Sequence, residues 1–319
     1  MRPFIAVDWG SSSRRACLLD RDGRVLARRQ DEQGYTTARP PDPAASLATF
    51  IGDWRADAGR VWLSGMVGSR QGWLEAPYLQ LAEVPQGGSP LSALRLARAL
   101  AREARLIPGD PALRIVPGLC QTAPASEPGV MRGEEMQWLG ALAQGLSGPF
   151  VLPGTHSKWI RADHAQAARF SSFMTGELFQ ALGNQGALAP LLRGHMPERV
   201  AAEHEALQLG VQEAQGPSPL SRLFSLRAEA MLEAPGYPAP SPDRMAARLS
   251  GLLIAMECLQ ARAAGWWRAG EAVHVIGSPR LATAYAAVLA MLGGQARILD
   301  AEQCGVAAAI LLENCCDEA

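Results

Sequence analysis

Lysine is almost missing from this chain: Lys158 stands alone among thirty basic residues, and arginine fills every other basic position. Charge of either sign in excess is missing too, with a net charge of -1 across 319 residues. That balance removes the electrostatic motive for binding nucleic acid or an anionic membrane. No apolar run approaches the roughly 20 residues that span a bilayer. Asp8 interrupts the first apolar run, and no small-residue cleavage site follows a long apolar stretch, so no secretory leader is expected. The six cysteines (Cys17, Cys120, Cys258, Cys304, Cys315 and Cys316) are scattered, without a CxxC pair. Such spacing predicts reduced thiols in a cytoplasm, and neither a disulfide framework nor a zinc site.

What is present is an ordinary globular composition, 48% hydrophobic and 19% charged. The length exceeds one typical core, so two domains are expected, over 1–147 and 148–319. A repeat supports the division. "PFIAVDWGSSSRR" begins at Pro3 and "PFVLPGTHSKWIR" at Pro149. Aligning Gly10 with Gly154 pairs Ser11 with Thr155, Ser13 with Ser157 and Arg14 with Lys158. Only the first copy carries a carboxylate, Asp8, where the second has Leu152.

Around each copy the pattern reads as a strand, a glycine turn and further strands, then alternating strand and helix. In the first half, strands fall at Pro3–Trp9, Arg15–Asp20, Arg24–Arg29 and Arg60–Ser64, with "LRIVPG" as another. Helical spacing covers Ala44–Arg55, Ser89–Leu106 and Gly133–Leu146. In the second half, strands fall up to Pro153 and around Ser157–Ala162 and Gln166–Ser171. Helices follow at Gly176–Leu182, Pro219–Leu232, Arg244–Ala264, Leu281–Leu292 and Glu302–Leu312, with "AVHVIG" and "ARILD" as strands between the last three. The proline-rich Ala234–Asp243 reads as a loop or crossover.

A strand that breaks at a glycine into hydroxyl residues bares several backbone N–H groups on a tight bend, a nest for oxyanions. Two such nests suit a polyphosphate, and Asp8 suits a Mg²⁺ ion held through its waters. One metal needs one such carboxylate, which accounts for Leu152 in the second copy. Taken singly, each turn reads equally well as a plain hairpin.

Five stretches in order resemble the actin–hexokinase superfamily. "IAVDWGSSS" and "VLPGTHSK" are similar to its two phosphate loops, and "VMRGEEMQWLGAL" to the helix that sugar kinases open with Gly-Asp-Gln and follow with an alanine-rich turn. "VHVIGSPRLATAYAAVLA" is similar to its adenosine-binding strand–loop–helix and "EQCGVAAAILL" to its closing helix. With "SGMVGSRQGWLEAPYL", the chain most resembles the 2-dehydro-3-deoxygalactonokinase family from end to end. The resemblance implies an α/β fold of duplicated ribonuclease-H-like domains with an interdomain cleft. It further implies ATP and Mg²⁺ as cofactors, a sugar acid as the small-molecule partner, and transfer of the γ-phosphoryl group to the terminal hydroxyl of 2-dehydro-3-deoxy-D-galactonate. A kinase of a related sugar acid or sugar, and a non-catalytic ATP-binding regulator, stay open beside it, as do the epimer and a homodimer.

By the same resemblance Glu134 is the general base, with Glu135 as its rival and helix capping as the plainer role for both. Asp8 serves the metal, and Lys158 sits near the transferring group, where a compact ammonium fits better than a planar guanidinium; survival by chance is the alternative. Gly10, Ser11, Ser12, Ser13 and Arg14, with Gly154, Thr155, His156 and Ser157, line the phosphates, although His156 reads equally as a turn residue. Gly277 and Ser278 form the adenosine turn. Arg70, whose bidentate guanidinium matches a carboxylate, leads the sugar-acid residues Gln71, Trp73, Thr175 and Glu177, with Tyr78 farther along. Arg70 also pairs with Glu75 in the plainer reading, and Thr175 and Glu177 serve as a cap and its neighbour. Trp138, Trp159, Trp266 and Trp267 are expected in the core.

Overall fold

The computed structural model describes residues 2–84, 91–122, 127–162, 168–192, 204–232 and 241–317. Chain contacts divide it into two units. The first comprises Met1–Ser147, Ala162–Phe170 and Ala301–Ala319, and the second Gly148–Arg161 and Ser171–Asp300.

The first unit opens with β1 (Phe4–Trp9), β2 (Arg14–Leu19) and β3 (Val25–Asp31), an antiparallel meander. Its second turn is an Asp-Gly turn: Asp20 Oδ1 accepts the amides of Asp22 at 3.1 Å and Arg24 at 2.8 Å, and Gly23 takes φ +87°. Short helices α1 (Tyr35–Ala38), α2 (Pro43–Ile51) and α3 (Trp54–Asp57) follow; Asp42 caps α2 by accepting the Ala45 amide, with Pro43 in its first turn. Next come β4 (Val61–Gly65), β5 (Tyr78–Gln80), α4 (Ala93–Arg102), β6 (Arg105–Ile107), β7 (Asp110–Ile115), β8 (Gly118–Gln121), β9 (Gly129–Met131) and α5 (Glu134–Ala143). The main sheet runs β3-β2-β1-β4-β7-β6, with β4 parallel to both β1 and β7. Ile5, Val7, Trp9, Val61, Leu63 and Ile115 from this sheet bury against Leu47, Phe50 and Ile51 of α2. A small sheet, β5-β8-β9, delivers the chain into α5.

The second unit repeats the plan with β10 (Gly148–Leu152), β11 (Ser157–Ala162) and β12 (Arg169–Phe173), then α6 (Thr175–Asn184), α7 (Ala189–Leu192), α8 (His204–Ala214), α9 (Pro219–Met231) and α10 (Pro242–Ala263). β13 (Ala272–Gly277), α11 (Pro279–Met291) and β14 (Gln295–Asp300) complete it, in the strand order β12-β11-β10-β13-β14. Helices α8 and α10 cross closely because two glycines allow it. A Cβ on Gly210 would lie 2.1 Å from the Arg248 carbonyl oxygen, and one on Gly251 would lie 2.2 Å from that of Leu207.

The last helix, α12 (Ala301–Asp317), returns to the first unit. It lies on α5 so closely that a Cβ on Gly140 would sit 1.7 Å from the Cys304 carbonyl oxygen. Its buried Glu313 accepts from Arg60 at 2.9 Å and from Trp62 Nε1 at 2.8 Å, and pairs with Arg21 at 3.0 Å. By chain contacts, residues 162–170 and 301–319 group with 1–147. Trp138, Trp159, Trp266 and Trp267 are core residues as expected. The proline-rich segment lies outside the described residues over 234–240, and its end, Ser241, caps α10 by accepting the Arg244 amide. Gln166 and Ala167 of the expected β12, and Ser89 and Pro90 of the expected α4, also lie outside them. No helix among the described residues is long and apolar enough to cross a membrane.

Candidate active site

In the first unit, β1 ends at Trp9 and the chain turns through Gly10–Ser13, closed by the Gly10 amide donating to the Ser13 carbonyl at 3.0 Å. The start of α1 holds this turn from behind. The Tyr35 amide donates to the Gly10 carbonyl at 2.8 Å, and those of Thr36 and Thr37 to the Ser11 carbonyl at 3.1 Å. Gly34 makes the approach feasible, since a Cβ there would lie 2.3 Å from the Ser11 oxygen. With its carbonyls engaged behind, the turn presents exposed Ser11 and Ser12 outward.

The second unit builds the same device. The Glu177 amide, in the first turn of α6, donates to the Thr155 carbonyl at 2.9 Å. Gly176 packs so tightly that a Cβ would lie 2.2 Å from the Gly154 oxygen. Thr155 and His156 are exposed, and His156 Nε2 lies 2.5 Å from Glu177 Oε2. The Lys158 side chain is buried and its Nζ donates to the His156 carbonyl at 3.0 Å, bracing the turn. Next to it, parallel β13 pairs with β10 and ends at Gly277, whose Cβ position is 3.4 Å from Pro153. Gly277 and Ser278 thus lie beside Gly154 at the carboxyl ends of neighbouring strands, and Ser278 begins α11.

Asp8 lies across from Arg15 on β2 and next to Ser64 on β4. Gly65 (φ +88°) and Gly133 (φ +103°) adopt backbone conformations that disfavour side chains, and both positions are crowded. A Cβ on Gly65 would stand 3.2 Å from Asp8 Oδ1, and one on Gly133 would stand 3.4 Å from the Gly65 Cα. α5 therefore begins close to Asp8. Glu134 Oε2 accepts the Arg132 amide at 2.9 Å, and Glu135 Oε2 accepts the Gly133 amide at 2.6 Å. The Asp8 carboxyl titrates above the ordinary range because its surroundings are largely protein; Arg15 opposes the rise and Glu134 adds to it. Glu135 is fully buried, Oε1 has no partner among the described residues, and burial with the neighbouring Glu134 charge pushes its pKa up to about 8. At neutral pH Glu135 therefore holds its proton.

A family model described as 2-keto-3-deoxy-galactonokinase matches residues 8–311, from Asp8 through both turns and into α12. The chain belongs to the 2-keto-3-deoxy-galactonokinase family. It is 36% identical over 261 residues to the 2-dehydro-3-deoxygalactonokinase of Escherichia coli (strain K12), covering 81% of this chain and 80% of that one. A relative from Rhizobium meliloti (strain 1021) is 35% identical over 305 residues, covering 94% and 93%. The crystal structure of a family protein from Sinorhizobium meliloti superposes with a TM-score of 0.79 at 33% identity, covering 99% of this chain and 98% of that one. Component A of the (R)-2-hydroxyglutaryl-CoA dehydratase of Acidaminococcus fermentans, 12% identical with a TM-score of 0.50, shares the fold alone. The fold is the expected duplicated α/β type, and the chain is an ATP-dependent sugar kinase.

Several expected residues of this family member stand elsewhere than at the turn mouths. Arg14 is buried: its guanidinium donates to Asp31 at 2.9 Å and to Ser46 Oγ at 2.9 Å, and lies 4.2 Å over the Phe50 ring. The cation beside Asp8 is Arg15, at 3.6 Å, which sequence reasoning passed over. Strand alternation points to it, since Trp9 lies across from Arg14 and both face the core. Ser157 Oγ is buried 2.8 Å from Tyr285 OH, and the buried Thr175 hydroxyl bonds to Glu257, so neither hydroxyl faces outward. Arg70 is 89% exposed and lies 3.6 Å from Glu75, while Gln71 beside it is exposed. Trp73 packs on the α2 core, apart from Arg70. Tyr78 carries the Arg132 guanidinium 4.3 Å over its ring, and Arg132 also donates to the Ala76 carbonyl at 2.8 Å. Gly34, Gly65, Arg132, Gly133, Glu257 and Tyr285 were not foreseen; only Arg132 and Gly133, inside "MRGEE", carried a local signal.

Proposed function

We propose that this kinase transfers the γ-phosphoryl group of ATP to the terminal 6-hydroxyl of 2-dehydro-3-deoxy-D-galactonate, giving the 6-phosphate and ADP. The observation that carries the reading is the meeting of Asp8 and Glu134 at the mouth of the first glycine turn, within a chain whose relatives bear that kinase name. In this reading the amides at exposed Ser11, Ser12, Thr155 and His156 bind phosphate oxygens, and Gly277 with Ser278 lets the adenosine ring approach backbone.

Asp8 is open to solvent beside Arg15 at 3.6 Å, and Glu134 adds to the negative potential around it, so the position suits a hydrated cation. Among the described residues no set of three or more His, Cys, Asp or Glu side chains suits a metal. That fits Mg²⁺ carried by the nucleotide and held by Asp8 through water, better than a protein cage. When bound, Mg²⁺ supplies neutralisation of the phosphate oxygens.

Glu134, fixed by the Arg132 amide, takes the proton of the 6-hydroxyl as its oxygen attacks the γ-phosphorus and ADP departs. Glu135, protonated and buried, orders the start of α5 through the Gly133 amide and adds no second charge. Lys158 keeps the second turn in shape through the His156 carbonyl and contributes positive charge close behind it. Arg70, exposed and among the described residues held by one surface ion pair, is available to a substrate carboxylate; Gln71 and Glu177 are the polar groups nearest in role. Reduced cysteines and ATP supply suit a cytoplasmic enzyme of galactonate breakdown, and six cysteines without a disulfide agree.

A coupled assay of ADP release over 2-keto-3-deoxy sugar acids of both epimers, neutral sugars and glycerol tests the reading. Release should require divalent metal and a 2-keto-3-deoxy sugar acid, with the galactonate epimer preferred. Equal turnover of a neutral sugar would refute it.

A further inference from the structure

Glu257 sits in the middle of α10 and is 2% exposed, yet no arginine, lysine or histidine among the described residues is bonded to it. Three neutral donors serve it instead. Trp159 Nε1 donates to Oε1 at 2.8 Å and the Tyr285 hydroxyl to Oε2 at 2.8 Å. The Thr175 hydroxyl adds a further hydrogen bond. Because Tyr285 gives its one proton to Glu257, its oxygen is left to accept from Ser157 Oγ, 2.8 Å away. With Glu257 ionised the chain runs Ser157 to Tyr285 to Glu257; burial raises the Glu257 pKa, and these hydrogen bonds oppose the rise.

These groups come from separate walls of one corner. Ser157 ends the Gly154–Ser157 turn and Trp159 lies two residues along β11. Thr175 opens α6, whose Gly176 and Glu177 brace the back of that turn. Tyr285 lies two turns into α11, the helix that begins after Gly277 and Ser278. A carboxylate buried without a cation is an expensive way to fill space, and an apolar side chain would do so at less cost. What it alone provides is acceptance from every side, with no proton of its own to offer; a carboxamide at the same place would turn an N–H against one of the donors.

We propose that Glu257 is a positioning residue for nucleotide binding, fixing the second glycine turn relative to the starts of α6 and α11. The inference rests on reading Gly154–Ser157 as a phosphate-binding turn. Loss of this hub should weaken the nucleotide and spare the sugar acid, whereas a filler residue would affect melting alone.

The test measures MgADP affinity by calorimetry, KM for ATP and for the sugar acid, and thermal melting, in the full-length enzyme. Tyr285→Phe removes one hydroxyl with little change of shape, and Glu257→Gln keeps the volume. Each should raise the MgADP Kd and ATP KM by about tenfold, the order expected for a lost bond to a charged acceptor, with sugar-acid KM within twofold. If Glu257→Gln fails to fold, Tyr285→Phe alone decides. Nucleotide constants within twofold of wild type in folded Tyr285→Phe overturn the proposal. Exposed Thr155→Glu separates the underlying reading. Lost MgADP binding there, beside normal binding in Tyr285→Phe, removes only the positioning role. Unchanged binding in Thr155→Glu removes the phosphate turn and this inference together.

Discussion

Gly65 and Gly133 face each other in the first unit, with a Cβ on Gly133 placed 3.4 Å from the Gly65 Cα, and both hold positive φ. A side chain at either would strain the backbone and push α5 away from β1. This contact brings Glu134 into the electrostatic reach of Asp8, whose carboxyl it helps raise above the ordinary range.

Asp8→Asn should fold normally, because the Asp8 side chain keeps 43% of its surface open and does not belong to the core. Turnover should fall by orders of magnitude at any Mg²⁺ concentration. A kcat near wild type at saturating Mg²⁺ would remove the metal role.

Arg14→Ala should act on stability and leave nucleotide binding alone. The guanidinium is buried between Asp31, Ser46 and the Phe50 ring, and its loss strands Asp31. Asp31 is 30% exposed, so losing these hydrogen bonds costs about 1–3 kcal/mol, and denaturant midpoints should drop clearly. An unchanged midpoint with a raised ATP KM would return Arg14 to the phosphate site.

Lys158→Arg tests why one lysine survives. Its ammonium is buried against the His156 carbonyl at 3.0 Å, in a space closed by β11 and the turn. A planar guanidinium needs more room and more acceptors. The arginine variant should lose nucleotide affinity despite equal charge, and wild-type kinetics would mean the site does not distinguish the two.

Glu135→Gln should change the pH dependence of stability. The folded pKa of about 8 lies above the unfolded value near 4.5, so the folded state binds more protons between these limits. Wild-type stability should therefore fall as pH rises through that window, by up to about 5 kcal/mol in all. The variant lacks this loss, so denaturant unfolding at pH 5, 7 and 9 should show it gaining on wild type. A constant difference would show that Glu135 does not titrate there.

Both hairpin meanders and both glycine turns were legible in the sequence, because Asp20-Asp22-Gly23 and the Gly-hydroxyl runs act locally. What escaped depends on distant partners. α8 carries a stripe of small residues that reads as weakly apolar until Gly210 meets α10. β5, β8 and β9 are three or four residues each and gain meaning only as a sheet. The allegiance of α12 rests on Glu313 reaching Arg60 and Trp62, over 250 residues away in sequence. At the site, choosing Arg14 over Arg15 matched residue type and ignored alternation; counting from Trp9 across the turn separates the two. Ser157 and Thr175 look like surface hydroxyls until Glu257 arrives from α10.

Glu134→Gln tests the account most directly. A primary hydroxyl is a poor nucleophile, and a carboxylate that accepts its proton contributes roughly 10²–10⁴-fold. The amide retains shape and the bond from the Arg132 amide but cannot take the proton. Single-turnover phosphorylation of the sugar acid, with MgADP affinity measured alongside, should show a rate at least about 100-fold lower with nucleotide affinity within a few-fold, while Glu135→Gln stays close to wild type. A near-normal rate in Glu134→Gln, with binding intact, would contradict the assignment of the base.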